Sequence, residues 1–164
     1  MTLKDLLLDE LRDLYDGEQQ LAKALPQLAA AAQSDGLRAA FESHLEETRN
    51  HGKRLEDIFA LLGVRASGKH CDGIAGIVKE ASRVIQNNEL DGALKDAALI
   101  AGAQKAEHYE IAGYGTVAAW ARTLGLIEAA SSLENTLEEE KAADQALNDL
   151  AEQEVNVSAQ HENV

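Results

Sequence analysis

Apolar residues recur at every third or fourth position along four long stretches of this chain, and this periodicity constrains its fold more than any other feature. The spacing places each set on one face of an α-helix, which has about 3.6 residues per turn. Pro26 is the one proline among 164 residues, and the strong helix formers Ala, Leu and Glu are abundant. The sequence therefore predicts a single all-α domain of four long amphipathic helices, the first kinked or loosened near Pro26.

The breaks between the predicted helices are of two kinds. Short turns are expected near Ser34 and at Gly125. A long connection, from about residue 63 to residue 90, follows the second helix and contains a weaker helical pattern at 73–87. Short turns make neighbouring helices antiparallel, and one long crossover is typical of ferritin-like bundles. We therefore predict a ferritin-like antiparallel four-helix bundle over 1–153, whose crossover between helices 2 and 3 carries a short extra helix, and a flexible C-terminal tail over 154–164.

The net charge limits the partners that this chain can bind, and the single cysteine limits its disulfides. A formal net charge of -14 repels the phosphates of nucleic acids and an anionic membrane surface. No apolar run approaches the ~18 residues of a membrane span, and the acidic, amphipathic N-terminus does not resemble a signal peptide. Cys71 has no second cysteine with which to form an internal disulfide. We expect a soluble, cytoplasmic protein that binds neither nucleic acid nor membranes.

Polar residues interrupt all four apolar stripes at positions that face the core. Counted from the two short turns, their carboxylates fall at similar heights in the bundle, because a helix rises about 1.5 Å per residue. Buried charges cost several kcal/mol each unless they are paired, and no Lys or Arg lies in these stripes. Bound metal ions would neutralise the acids. The interrupting residues are Glu18 in the first helix, His44, Glu47 and His51 in the second, Glu107 and Glu110 in the third, and Glu140 and Asp144 in the fourth.

The spacing of these residues suggests two neighbouring metal ions. Glu47 and His51 are four residues apart, and Glu140 and Asp144 repeat that offset. We interpret Glu47 and Glu140 as bridging ligands. Iron suits such a ligand set, with manganese or zinc as alternatives. A structural polar core without metal is the competing interpretation. The predicted terminal ligands are Glu18, Glu110, His51 and Asp144, and Glu107 is predicted to be an additional or redox-dependent ligand. We expect His44 and Tyr114 to support the ligands without binding the metal. His108 and Glu138 are expected to face solvent.

Four segments resemble the YciE/YciF family of ferritin-like proteins: LKDLLLDELRDLYDGEQQLAKALP, HLEETRNHGKRLEDIFALLG, AEHYEIAGYGTVAAWARTLG and TLEEEKAADQAL. The resemblance implies a ferritin-like bundle, a homodimer and a link to bacterial stress responses. The wider superfamily includes rubrerythrins, ferritins and manganese catalases, whose ligand pairs follow a Glu-x-x-His pattern. Here Asn50 and Ala143 occupy the positions of those histidines, and the candidate ligands His51 and Asp144 lie one residue further on.

Two functions follow from these observations, with a third as the minimal alternative. The first is a di-iron or other di-metal carboxylate protein performing stress-related redox chemistry on peroxide or dioxygen, as an oxidase, peroxidase or catalase. The second is a non-catalytic metal-binding or structural stress-response dimer. The third, a plain helical adaptor, predicts no stoichiometric metal.

Overall fold

The computed structural model describes residues 1–161, and no strand occurs among them. Four long helices and one shorter helix in the crossover confirm the predicted all-α architecture. The chain ends, within the described residues, in one π-helical turn and a last short helix. The elements are α1 (Leu3–Ala31), α2 (Asp35–Leu61), α3 (Asp72–Gln86), α4 (Gly92–Thr123), α5 (Ile127–Leu150), the π-helical turn (Ala151–Val155) and α6 (Asn156–His161).

The helices α1 and α2 form one antiparallel hairpin, and α4 and α5 form the other. The hairpins pack together through α1 against α4 and α2 against α5, while α3 lies against α1 and α4. Gly63 and Gly125 adopt left-handed φ angles of 71° and 74° immediately after α2 and α4, which ends each helix. α1 continues through Pro26 as one helix. Among the described residues, none of the helices combines the length and apolar content needed to cross a bilayer.

The C-terminal segment differs from the sequence prediction. A flexible tail was predicted from residue 154, but the chain remains helical through His161. Val155 is only 2 % exposed and packs into an apolar cluster with residues of α1, α2 and α4. Val155 and Ala159 are four residues apart, so both fall on one helix face, and this pair is enough to dock an otherwise polar segment. The prediction for 162–164 lies outside the described residues.

The apolar core is divided by a polar layer. One cluster fills the end of the bundle that contains the α4–α5 turn, and it includes Leu14, Leu55 and Leu133. Another fills the opposite end and includes Leu25 and Phe41. The buried acids and histidines occupy the helical turns between these clusters, so apolar packing closes their layer toward both ends of the bundle.

Candidate metal centre

Six buried side chains converge in the polar layer, and each of the four long helices contributes at least one. They form two groups that share Glu140. In each group, one donor atom from every member lies within 4.8 Å of the donor atoms of the others. The first group is His44, Glu107, Glu110 and Glu140, and the second is Glu18, His51 and Glu140.

Glu140 joins the two groups through its two carboxylate oxygens. Its Oε2 lies 3.7 Å from His44 Nε2, and its Oε1 lies 2.8 Å from His51 Nδ1. The side chain is completely buried. A carboxylate in this position can contact two cations at once, one through each oxygen.

The first group centres on His44. Its Nε2 lies 3.1 Å from Glu107 Oε1, and its Nδ1 lies 3.1 Å from Glu47 Oε2. Glu110 is buried beside them, and neither of its carboxylate oxygens has a hydrogen-bond partner among residues 1–161. His44 was predicted to have a supporting role, whereas the structure places its Nε2 among the donor atoms themselves.

The second group centres on His51, whose two ring nitrogens have different surroundings. Nδ1 faces inward, 3.4 Å from Glu18 Oε1 as well as close to Glu140. Nε2 faces outward and lies 2.8 Å from Glu139 Oε2. Arg54 holds that carboxylate by donating to both oxygens, at 2.5 and 2.8 Å. The outer contact therefore fixes the ring so that Nδ1 faces the centre.

Tyr114 supports the second group from α4. Its hydroxyl donates a hydrogen bond to Glu18 Oε1 in the fully buried interior. Burial raises the pKa of the Tyr114 hydroxyl well above its ordinary value, with the nearby carboxylates adding to the effect. The hydroxyl therefore stays protonated and holds Glu18 Oε1 in place.

Many donor atoms in this layer are buried without a hydrogen bond to any described residue. His51 Nδ1 is among them, because the neighbouring carboxylate oxygens lie off its N–H direction despite their short distances. An unpaired buried polar atom costs about 1–3 kcal/mol. Oxygen and nitrogen atoms that converge without hydrogen bonds between them can bind one cation together, and Glu and His ligands suit iron, manganese or zinc. The unpaired atoms are Glu18 Oε2, His44 Nε2, Thr48 Oγ1, His51 Nδ1, Glu107 Oε2 and both oxygens of Glu110 and Glu140.

In the metal-free protein, bound protons neutralise part of the negative charge of this layer. Burial raises the pKa of Glu110 well above its ordinary value and raises the pKa of Glu140 to about 7. Burial alone would lower the pKa of His44, but its close contacts with the carboxylates of Glu107 and Glu47 raise it to about 11. The pKa of His51 rises to about 10, because its contacts with Glu140 and Glu18 likewise outweigh burial. The two imidazoles thus offset part of the negative charge of the metal-free layer.

The comparisons with known proteins agree with this fold. Residues 2–160 match the family model described as a domain of unknown function, DUF892. The chain is 43 % identical over 161 residues to protein YciF of Escherichia coli (strain K12), covering 98 % of this chain and 96 % of YciF. This chain belongs to the YciE/YciF family. The crystal structure described as that of the E. coli stress protein YciF matches with a TM-score of 0.91, covering 95 % of this chain and 98 % of that one.

Two further solved structures share this fold, and one of them is a ferritin-like protein. A protein from Rhodopseudomonas palustris, described as a putative structural protein, is 45 % identical with a TM-score of 0.86, covering 90 % of this chain and 94 % of its own. A dodecameric thioferritin, the bacterioferritin-related protein of Bacteroides fragilis, matches with a TM-score of 0.73 at 18 % identity, covering 98 % of this chain and 92 % of that one. The latter shows the shared fold alone. The resemblance to the YciE/YciF family and the ferritin-like bundle are therefore confirmed.

Two predicted ligands of this YciE/YciF member lie outside both groups. The Glu47 side chain is 42 % exposed and contacts His44 from the solvent side. Asp144 turns toward α4, where it accepts a hydrogen bond from Gln104 and lies 3.2 Å from His108 Nε2. Glu47 and His51, and likewise Glu140 and Asp144, were predicted to share a helix face because they are four residues apart. Side chains four residues apart are rotated about the helix axis by about 40° more than one full revolution. That rotation is enough to direct one member of each pair away from the centre. His108 and Glu138 are exposed, as predicted.

Three residues that were not predicted from the sequence lie around this centre in the structure. Glu139 and Arg54 form the outer contact of His51, and Thr48 is buried between the two histidines of α2 with its hydroxyl unpartnered. Arg54 lies three residues after His51, a spacing that places both on one side of α2. That spacing could have indicated Arg54 from the sequence. Nothing in the sequence distinguishes Glu139, because it is one of three consecutive glutamates.

Proposed function

We propose that this protein binds two metal ions in its polar layer and uses them for redox chemistry on peroxide or dioxygen. The observation that supports the proposal is the convergence of four buried carboxylates and two imidazoles whose donor atoms lack hydrogen-bond partners among the described residues. Iron is the proposed metal, with manganese as the redox-active alternative, whereas zinc, which has no redox chemistry, would fit only a non-catalytic role.

Each group of side chains offers a distinct set of ligands for one ion. His44, Glu107 and Glu110 would hold the first ion, and Glu18 and His51 would hold the second. Glu140 would be shared. A bound pair of redox-active ions supplies the electrons for a two-electron reduction of a small oxidant. The surrounding side chains then have three tasks, namely to orient the ligands, to exclude bulk water and to hold a proton nearby.

We assign each of those tasks to particular side chains. Glu139, held by Arg54, orients His51. Tyr114 keeps a proton at Glu18 Oε1, within the interior where an oxidant's oxygen would need one. The apolar clusters close the layer toward both ends of the bundle and so limit its contact with water, which strengthens the electrostatic interactions inside it.

Relatives suggest the biological setting. The E. coli relative is described as a stress protein. We propose a stress-related role for this chain, as a cytoplasmic homodimer that acts on a small oxidant. These assignments rest on family membership, whereas the metal proposal rests on the geometry of the polar layer.

A non-catalytic role is the second candidate, because the R. palustris relative is described as a putative structural protein. In that case bound metal would stabilise the folded state without turnover. A ligand that binds only folded protein at a concentration of 100 times its Kd stabilises it by about 2.7 kcal/mol. Metal-dependent loss of peroxide separates the two candidates.

The test compares metal content and peroxide loss in wild-type protein and a Glu140→Ala variant. Wild-type protein purified without added metal and then loaded with iron should hold about two ions per chain, as the two groups imply. Glu140→Ala removes the shared ligand and should hold fewer than one. Glu134→Ala, on the exposed face of the same helix, is the matched control and should behave as wild type. Equal metal content in all three proteins would refute the proposal, and metal binding without peroxide loss would favour the structural role.

A further inference from the structure

A pocket of about 170 Å³ opens between α2 and α5 and reaches the first group of donor atoms. Its walls are mostly small residues, such as Ala40 from α2 and Ala143 from α5. The ionisable groups that line it are His44, Glu47 and Glu107, and no Lys or Arg is among its lining residues. The pocket holds roughly five water molecules at about 30 Å³ each, so it has room for a small, partly hydrated ion.

The donor groups along this pocket lead from solvent to the centre in a continuous series. Side-chain exposure falls from 42 % at Glu47 to 9 % at His44, 4 % at Glu107 and 0 % at Glu140. The first three members are in contact, because His44 lies 3.1 Å from Glu47 on one side and 3.1 Å from Glu107 on the other, and a donor atom of Glu140 lies within 4.8 Å of donor atoms of His44 and Glu107. His44 Nε2 and Glu107 Oε2 are buried without hydrogen-bond partners among the described residues, so the inner end of the series has free ligand atoms.

The opposite flank of α2 has a different character. A pocket of about 350 Å³ opens between α1 and α2 and reaches Glu18. Arg49 and Lys53 line it, together with Glu56 and Tyr15. The two basic side chains reduce the attraction of this opening for a cation, whereas the ionisable lining of the α2–α5 pocket consists of acids and one histidine. The two routes to the polar layer therefore differ in charge.

We propose that the α2–α5 pocket is the inlet for divalent cations, with Glu47 as the carboxylate that captures the ion and transfers it to His44 and Glu107. The proposal rests on the proposed metal centre and adds the route by which that centre is filled. It also gives Glu47 a role that its position permits. A partly exposed carboxylate can exchange water for a cation, while a fully buried one cannot.

The first test measures the rate of cobalt(II) uptake by metal-free protein, followed by the absorbance of the bound ion in a stopped-flow instrument. Glu47→Gln keeps the size of the side chain and removes its charge. It should slow uptake by about tenfold, in the range by which charged clefts accelerate association, and should weaken the dependence of the rate on salt. Glu56→Gln makes the same change at the other pocket and should leave the uptake rate unchanged.

The second test blocks each pocket in turn. Ala143→Leu adds bulk to the wall of the α2–α5 pocket, and Ala22→Leu does so in the α1–α2 pocket. The first variant should slow cobalt uptake and the second should not, with the final number of bound ions unchanged in both.

Several results would overturn the inlet. Equal uptake rates for Glu47→Gln and Glu56→Gln would do so, as would slower uptake in Ala22→Leu alone. A permanently lower cobalt content in Glu47→Gln would make Glu47 a ligand of the finished centre instead. Wild-type protein that binds no cobalt at equilibrium would refute the metal centre itself, which separates failure of the proposed function from failure of the inlet.

Discussion

His44 and His51 lie on the same buried face of α2, seven residues apart, yet their surroundings differ. His51 is fully enclosed, and its outward nitrogen meets Glu139, which Arg54 holds through both carboxylate oxygens. The outward nitrogen of His44 meets Glu47, a half-exposed carboxylate for which the described residues provide no arginine.

The difference shows that one helix face can carry a rigid ligand and an accessible one. His51 is fixed by packing and by a charged pair behind it, so its Nδ1 has one orientation. His44 borders a pocket, so ions and water can reach it. Both residues are histidines on the same helix face, so the difference in accessibility comes from what the outward nitrogen of each ring contacts.

The largest expected effect comes from replacing each histidine in turn. His51→Ala leaves the buried carboxylates of Glu18 and Glu140 without their shared partner. It should lower the free energy of unfolding of metal-free protein by about 3–5 kcal/mol, as breaking a buried charged pair does. His44→Ala should lower it by only about 1–2 kcal/mol, because water from the pocket can solvate the acids left behind. Urea denaturation of chelator-treated protein measures both values, and equal losses would contradict the distinction.

A smaller effect is expected from removing the outer contact of His51. Glu139→Ala should weaken cobalt(II) binding by about 10- to 100-fold, the usual consequence of losing a carboxylate behind a ligating histidine. It should also alter the visible spectrum of the bound ion, because the ring is no longer fixed. Glu134→Ala removes a carboxylate held in the same way, by Arg122, with no histidine behind it. Titrations that give the same affinity for both variants would show that Glu139 does not position His51.

The smallest expected effect is a shift of stability with pH in the metal-free protein. The folded pKa values of His44 and His51 are raised to about 11 and about 10, above the unfolded value of about 6.5. Their contribution to stability is therefore fully present below about pH 6.5 and is lost as the pH rises through the folded values. Burial raises the pKa of Glu110, which acts in the same direction. The melting temperature of chelator-treated protein should fall by a few degrees between pH 6 and pH 9.

A matched variant tests the source of that shift. The double substitution His44→Ala and His51→Ala should give a flatter dependence of melting temperature on pH, since two of the groups that hold protons are gone. A melting temperature that rose with pH in the wild-type protein would contradict the assigned directions of the pKa shifts.

The periodicity of the sequence was sufficient to predict the four long helices, the helical crossover and the polar layer. Glu18, His51, Glu107, Glu110 and Glu140 are all buried together, as their places in the apolar stripes indicated. Leucine and alanine at the neighbouring stripe positions made this possible, because an apolar stripe must face the core and carries any polar residue within it to the same place. Val155 shows the limit of the method, since a pair of small apolar residues on one face was too weak a pattern to indicate a docked helix.

The sequence by itself thus determined that this chain folds as a helical bundle with acids and histidines in its interior. Tertiary structure alone decided which of them meet. Periodicity gives the angle of a residue around its own helix, but the rotation of each helix against its neighbours comes from packing, and a few tens of degrees separate Glu140 from Asp144. Packing also determines which of three consecutive glutamates contacts His51. That residue is Glu139, and the residue pattern of α2 or of α5 taken alone does not predict the contacts between the two helices.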